Sequence, residues 1–234
     1  MKNQTKEKKN VLSKKDIPMY VFMAVAAILI TVTSVIYKQS FLRVLPLYIS
    51  LAVGLFQSRV NRFSTLIGGC NSVLYAIVYF YYHLYGSALY ALLVSCPIQI
   101  LTFVRWNKNK WEQSTVLRRM TAKQRLAVTA GFGIALVVLW FVLPLLGSEY
   151  VFLDSASSLL GILTSFLTMF AFVEYTVFML AGCVVSIVLH VTMLHSSPDI
   201  MPHLVYSVYS LVCVFLSCLR ARKLYADQQN RIGA

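Results

Sequence analysis

The sequence predicts an all-α polytopic membrane protein with about eight transmembrane helices, and three observations support this fold class. Of the 234 residues, 59% are hydrophobic and only 12% are charged, which is far too apolar for a soluble domain. Apolar runs of about 20 residues, the length that crosses a bilayer as a helix, follow one another along the chain. Lysine and arginine are concentrated between these runs, as the positive-inside rule expects.

Taken in order, the chain divides into two tails, eight apolar runs and one long loop. Residues 1–16 form a lysine-rich tail without an apolar face, and residues 220–234 form a second basic tail. The run that starts at Ile17 is too long for a signal-peptide core, so we expect it to be retained as an extra N-terminal helix. The predicted spans are 17–37, 40–58, 64–82, 85–105, 126–146, 151–171, 175–194 and 199–219.

The distribution of basic residues predicts that both termini face the cytoplasm. The loop 106–125 and the residue before it hold seven basic residues, whereas the segments predicted on the other side hold only Lys38 and Arg43. The loop itself carries Trp111 and Met120 among its cations. It therefore fits either an amphipathic segment at the membrane surface or a solvated connector.

Several other classes of function find no support in the sequence. The net charge of +13 would suit nucleic acid, but no basic stretch accompanies a nucleic-acid-binding module. The five cysteines lie inside apolar runs without Cys-x-x-Cys or histidine spacing, so we expect no disulfide framework and no metal site. No phosphate-binding loop, nucleophile elbow or pair of intramembrane carboxylates occurs, so we expect neither an enzyme nor a cofactor.

An internal repeat organises the spans. Gly68-Gly69-Cys70 matches Ala181-Gly182-Cys183, and the basic residues from Arg105 match those from Arg220, about half the chain away. The repeat relates a three-span unit, 40–105, to a second one, 151–219. Because the single linker helix 126–146 separates them, both units enter the membrane in the same orientation. The sequence thus predicts two parallel three-helix bundles joined by a linker helix.

The hairpin from Leu66 to Trp106 contains four short motifs: Gly69-Cys70-Asn71-Ser72-Val73-Leu74-Tyr75, Leu84-Tyr85-Gly86, Pro97-Ile98-Gln99, and Trp106 with the basic run after it. In this order they resemble the PnuC family of bacterial vitamin transporters. Members of that family move nicotinamide riboside or related vitamins and nucleosides. The resemblance implies a SWEET-like fold in the bacterial inner membrane, with substrate held between the two bundles. It also implies facilitated diffusion followed by trapping by a cytoplasmic kinase, and it leaves a homo-oligomer open.

The second half departs from the family pattern. Aligned on Val184-Val185-Ser186-Ile187, the positions where the family usually carries Trp, Trp and Asn hold Thr176, Met179 and Cys183. Two aromatic rings and one amide are therefore missing from the substrate site that the family pattern implies. This loss leaves open another vitamin, such as thiamine, as the substrate. A substrate-capturing subunit with a partner ATPase and a scaffold that transports nothing are the remaining alternatives.

The candidate substrate-binding residues are amides and aromatics inside the apolar runs. Asn71 and Gln99 each offer a donor and an acceptor, although such amides also join membrane helices to one another. Tyr75 and Tyr79 recur at helical spacing and would stack on a ring. The predicted set is completed by Thr176, Met179 and Cys183.

Asp154 and His190 are the candidates for a proton-linked role. Asp154 lies one turn into its span, and His190 is the one histidine well inside an apolar run. Ionisable groups inside a membrane commonly mark functional sites. If protons are coupled to transport, these two residues are the first to test.

Overall fold

The computed structural model describes residues 17–147 and 149–232. Within these residues, eight helices are long and apolar enough to cross a membrane. The predicted fold class is confirmed. The predicted N-terminal tail, 1–16, lies outside the described residues. Each predicted span overlaps one of these helices.

The first half contains α1 (Ile17–Ile36), α2 (Phe41–Ser58) and α3 (Phe63–Tyr81), followed by one composite span. That span consists of α4 (Tyr85–Leu89), a π-helical stretch (Tyr90–Ser95) and α5 (Cys96–Lys108). Pro97 has no N–H to donate to the preceding turn, which favours a local widening of the helix. Irregular turns of this kind are frequent at functional sites.

The second half begins with a short hairpin of β1 (Lys110–Trp111) and β2 (Ser114–Thr115). The helix α6 (Ala122–Val142) continues as a 3-10 turn (Leu143–Leu146), and α7 (Val151–Met169) and α8 (Tyr175–Met193) follow. A second 3-10 turn (Pro198–Ile200) leads into α9 (Met201–Ile232). The helix α9 thus extends well past residue 219, where the apolar run ends.

Six spans form a ring in which each helix packs on the next, in the order α2, α3, α4–α5, α7, α8, α9 and back to α2. The helix α1 packs on α2 and α9 outside the ring, and α6 packs mainly on α7. Because successive spans cross in opposite directions, the ring has two ends. We call the end with residues 37–40, 82–84 and 194–200 the Tyr82 end, and the end with residues 59–62, 109–121 and 170–174 the Trp106 end.

The segment 109–121 is packed against the Trp106 end, which is neither of the two arrangements expected for this loop. Its Arg118 exchanges backbone hydrogen bonds of 2.8 Å with Ala171 and Val173 in the turn between α7 and α8. The Gln228 side chain, which is fully buried, accepts from the Leu117 N–H and donates to the Thr115 carbonyl. The extension of α9 therefore anchors this segment and is part of the folded domain.

Candidate substrate-binding cavity

A cavity of about 290 Å³ lies inside the ring, and all six of its helices contribute lining residues. This volume is close to the lower end for small-molecule pockets, about 300 Å³. The lining is rich in hydroxyl, amide, imidazole and phenol groups. None of its described residues is a lysine, arginine, aspartate or glutamate. The site is therefore polar without carrying a fixed charge.

Tyrosines form an aromatic wall on one side of the cavity. Tyr75 and Tyr79 on α3 stack with ring centroids 5.5 Å apart, and Tyr206 on α9 lies 6.5 Å from Tyr75. Tyr90, in the π-helical stretch, also lines the cavity. Its hydroxyl oxygen lies 3.1 Å from the hydroxyl oxygen of Ser165. Rings in this arrangement offer aromatic faces and edges to a ligand. The predicted residues Tyr75 and Tyr79 do line the cavity.

Gln99 lines the cavity with its amide in a fixed orientation. Its Nε2 donates to the hydroxyls of Ser95 at 2.5 Å and Ser72 at 3.3 Å. Because both amide hydrogens are used, the carbonyl oxygen Oε1 is the group left to bind a ligand. Within the described part of the chain no donor contacts Oε1. Oε1 lies against Gly68, so the acceptor of Gln99 is at the α3 wall of the cavity.

Asn71 does not line the cavity. Its Nδ2 donates to the Pro46 carbonyl at 2.9 Å and to the Ser50 hydroxyl at 2.8 Å, and the residue is buried between α2 and α3. These contacts are those of an amide that joins two helices, the alternative considered for this residue. Ser50 in turn donates to the Tyr75 hydroxyl at 3.0 Å. Asn71 thus reaches the cavity only through Tyr75.

The three second-half positions have different environments. Thr176 is fully buried, hydrogen-bonds the Val173 carbonyl of its own turn and lies outside the cavity lining. Met179 lines the cavity, and its sulfur accepts a hydrogen bond from Gln57 Nε2. Cys183 also lines it, with Sγ 3.6 Å from the Ser210 hydroxyl. Only two of the three predicted positions therefore face a ligand.

Asp154 and His190 are not brought together. The Asp154 carboxylate is fully buried and accepts hydrogen bonds from the backbone N–H groups of Gly86 and Ser87, at 2.9 and 3.0 Å, and from the Ser87 hydroxyl at 2.6 Å. It thereby satisfies the free N–H groups at the start of α4 and ties α7 to that helix. His190 lines the cavity and contacts the Ser207 hydroxyl at 2.8 Å.

Sequence reasoning missed many of the polar groups in the lining, among them Gln57, His203, Ser207 and Ser210. Three of them, with Tyr206, form a polar stripe on α9 at steps of three and four residues, which is one face of a helix. That stripe was the signal available in the sequence. Gln57 gives no such signal, because it lies beside Ser58 at the end of α2, where polar residues are common in a membrane span.

A cluster of packed side chains lies at each end of the ring. At the Tyr82 end, Arg43 and Asp199 form a 2.7 Å ion pair, and the Tyr82 hydroxyl donates to the same Asp199 oxygen at 3.2 Å. Burial and the neighbouring Asp199 raise the pKa of Tyr82 above its usual value, so this phenol remains a donor at neutral pH. Apolar side chains, among them Leu84, Met193 and Ile200, form one cluster with Tyr82.

At the Trp106 end the cluster is mostly apolar. Trp106 is 2% exposed, and its indole N–H donates to the Thr168 carbonyl at 2.8 Å, which links α5 to α7. Its ring lies edge-on to Tyr175 at 6.4 Å, and Leu117 and Met120 of the packed segment belong to the same cluster. Trp106 is therefore a buried contact between the two three-helix units and does not lie at the lipid surface.

Comparison with known proteins identifies the family. The sequence model of the family described as nicotinamide mononucleotide transporter matches residues 40–219, which is most of the chain. A crystal structure of the vitamin B3 transporter PnuC has the same fold, with a TM-score of 0.77 and 21% identity over 91% of this chain and 92% of that chain. No curated protein sequence matches significantly. The resemblance noted in the hairpin is confirmed, and the chain belongs to the nicotinamide mononucleotide transporter family.

Proposed function

We propose that this membrane transporter carries a nicotinamide riboside-like vitamin or nucleoside through the central cavity. The observation that carries the proposal is the chemistry of the lining, where amide, hydroxyl and aromatic groups converge without a charged side chain among its described residues. Such groups bind a hydroxyl-rich heterocycle well, because each hydrogen bond is made without burying a net charge. Gln99 Oε1 supplies an acceptor, and Tyr75, Tyr79 and Tyr206 supply ring faces.

The lining favours a nucleoside over the corresponding nucleotide. A phosphate monoester carries up to two negative charges, and burying them without a cationic partner is very costly. The lining offers no lysine or arginine within the described residues. The nicotinamide ring of the nucleoside is instead a pyridinium cation, which the faces of tyrosine rings attract.

Clusters at both ends of the ring support transport by alternating access. The Arg43–Asp199 pair and the apolar cluster around Tyr82 lie at one end, and the Trp106 cluster lies at the other. Opening one end while the other stays closed moves the substrate across as facilitated diffusion. A cytoplasmic kinase would then trap the product by phosphorylation.

The orientation follows from charge. Arg59, Arg62 and the cations of the segment 109–121 lie at the Trp106 end, so this end and both termini face the cytoplasm of the bacterial inner membrane. A homo-oligomer remains compatible with this arrangement.

A second candidate, another vitamin such as thiamine, is favoured by one observation. Met179 and Cys183 stand in the lining where the family pattern usually carries an aromatic ring and an amide. A thermal-shift panel of vitamins and nucleosides on the purified protein separates the candidates. Stabilisation by nicotinamide riboside alone supports the first, and stabilisation by thiamine alone replaces it. Binding without uptake in reconstituted vesicles would indicate a capture subunit. The absence of both binding and uptake would indicate a scaffold.

A further inference from the structure

Two histidines lie at the Tyr82 end of the cavity, and the proposal above assigns them no role. His190 on α8 and His203 on α9 both line the cavity, with ring centroids 6.0 Å apart. His203 is 2% exposed, and its Nε2 has no hydrogen-bond partner among the described residues. Buried polar atoms are almost always paired, so an unpaired one in a cavity wall is available to a ligand.

Ser207 determines which nitrogen of His190 carries the proton. Its hydroxyl donates to the His203 backbone carbonyl at 3.0 Å, and a carbonyl can only accept. The single hydroxyl hydrogen is thereby used, so the Ser207 oxygen accepts from His190 Nδ1, 2.8 Å away. Neutral His190 then has its proton on Nδ1, and its Nε2 is a hydrogen-bond acceptor.

We propose that His190 and His203 together recognise a primary carboxamide, and this inference rests on the proposed function. His190 Nε2 accepts from the amide NH₂ group, and His203 donates from Nε2–H to the amide carbonyl. Hydrogen bonds of about 2.9 Å from the oxygen and the NH₂ group along one edge of a planar amide would reach both rings, whose centroids are 6.0 Å apart. Nicotinamide carries such a group, whereas its carboxylate analogue lacks the donor that His190 requires.

The neighbouring rings hold His203 in place for this role. Tyr82 lies edge-on to the His203 ring at 5.7 Å, and Tyr75 does so at 6.4 Å. Because Tyr75 also belongs to the aromatic wall, a pyridinium ring stacked there would place its carboxamide toward the two histidines. Stacking and amide recognition are thus adjacent parts of one site.

The test is calorimetric binding of two ligands to the purified full-length protein: nicotinamide riboside and 3-acetylpyridine riboside. The second ligand keeps the carbonyl and replaces the NH₂ group by methyl. We expect wild type to bind nicotinamide riboside about tenfold more tightly, as expected for one hydrogen bond to a buried acceptor. His190→Ala should weaken nicotinamide riboside about tenfold and leave the acetyl analogue nearly unchanged, whereas His203→Ala should weaken both.

Matched variants separate this role from a structural one. His195→Ala removes an exposed histidine at the same end and should change neither affinity. Ser207→Ala frees the His190 proton and should reduce the discrimination between the two ligands, which provides a test even if His190→Ala does not fold. Equal wild-type affinities, or an equal loss of both in His190→Ala, would overturn the assignment. Binding of neither nucleoside by wild type would instead overturn the proposed function, and the assignment with it.

Discussion

The Asn71 side chain donates a 2.8 Å hydrogen bond to the Ser50 hydroxyl, which in turn holds the hydroxyl of Tyr75 in the cavity wall. Asn71, which belongs to the hairpin that resembles the family, thus stabilises the cavity lining without lining the cavity itself. Its influence on a ligand is indirect and passes through the position of one ring.

Replacing Asn71 should therefore affect stability more than binding. Asn71→Ala removes hydrogen bonds between α2 and α3, and such bonds contribute about 0.6 kcal/mol each in a membrane interior. We expect a lower unfolding temperature in detergent and a change of less than about threefold in the dissociation constant for nicotinamide riboside. A loss of binding as large as that of Gln99→Ala in folded protein would show direct contact with the substrate.

Gly68 is expected to control the orientation of Gln99. A β-carbon at Gly68 would overlap the Gln99 carbonyl oxygen, the amide atom that accepts no hydrogen bond from the described residues. Gly68→Ala and Gln99→Ala should each weaken nicotinamide riboside binding by about 1–3 kcal/mol, as measured by calorimetry. The control is Gly131→Ala on α6, where an added β-carbon meets nothing within 4 Å and binding should be unchanged. Full affinity in Gly68→Ala would exclude Gln99 from the site.

Gly161 allows close packing between the two three-helix units. A β-carbon there would lie 2.6 Å from the Tyr90 ring, so Gly161→Ala should push that ring into the cavity and break its contact with Ser165. Overpacking of this kind costs about 1–3 kcal/mol, which thermal unfolding would detect, and binding should weaken as well. Combining it with Tyr90→Leu should cost less than the sum of the two single changes. Strict additivity would contradict the contact.

The Arg43–Asp199 pair is expected to hold the Tyr82 end closed. Its side chains are 18% and 27% exposed, so the pair contributes about 1 kcal/mol or less. Asp199→Asn should speed the reaction of Cys183 with a membrane-impermeant thiol reagent outside the cell by up to about fivefold. The measurement needs a background in which the other four cysteines are serine. Glu149→Gln, at the same end, is the control, and identical rates in both variants would exclude the pair from closure.

The sequence was sufficient for the spans because hydropathy and length reflect the thickness of the membrane directly. It could not reveal that α9 continues to Ile232, since beyond the bilayer a helix is stabilised by packing, here by the burial of Gln228. The packed segment 109–121 was missed for the same reason. Its hydrogen bonds join positions far apart in the chain, such as Leu117 and Gln228.

Within the site, residue type identified polar side chains but not the direction in which each one faces. Gln99 and Asn71 are both amides within apolar runs, yet only Gln99 lines the cavity, because the Pro46 carbonyl and Ser50 bind Asn71. Thr176 bonds its own preceding turn, as threonines in helices often do. The direction of each side chain depends on how neighbouring helices are rotated, which a single sequence does not encode in a readable pattern.

The most direct test of the central claim is uptake by the purified protein in liposomes, with nicotinamide riboside and nicotinamide mononucleotide compared under the same gradient. A cavity without a cationic lining should transport the nucleoside down its gradient and exclude the phosphorylated form, and Gln99→Ala should slow the nucleoside flux. Equal transport of the two compounds, or transport of the mononucleotide alone, would contradict the account.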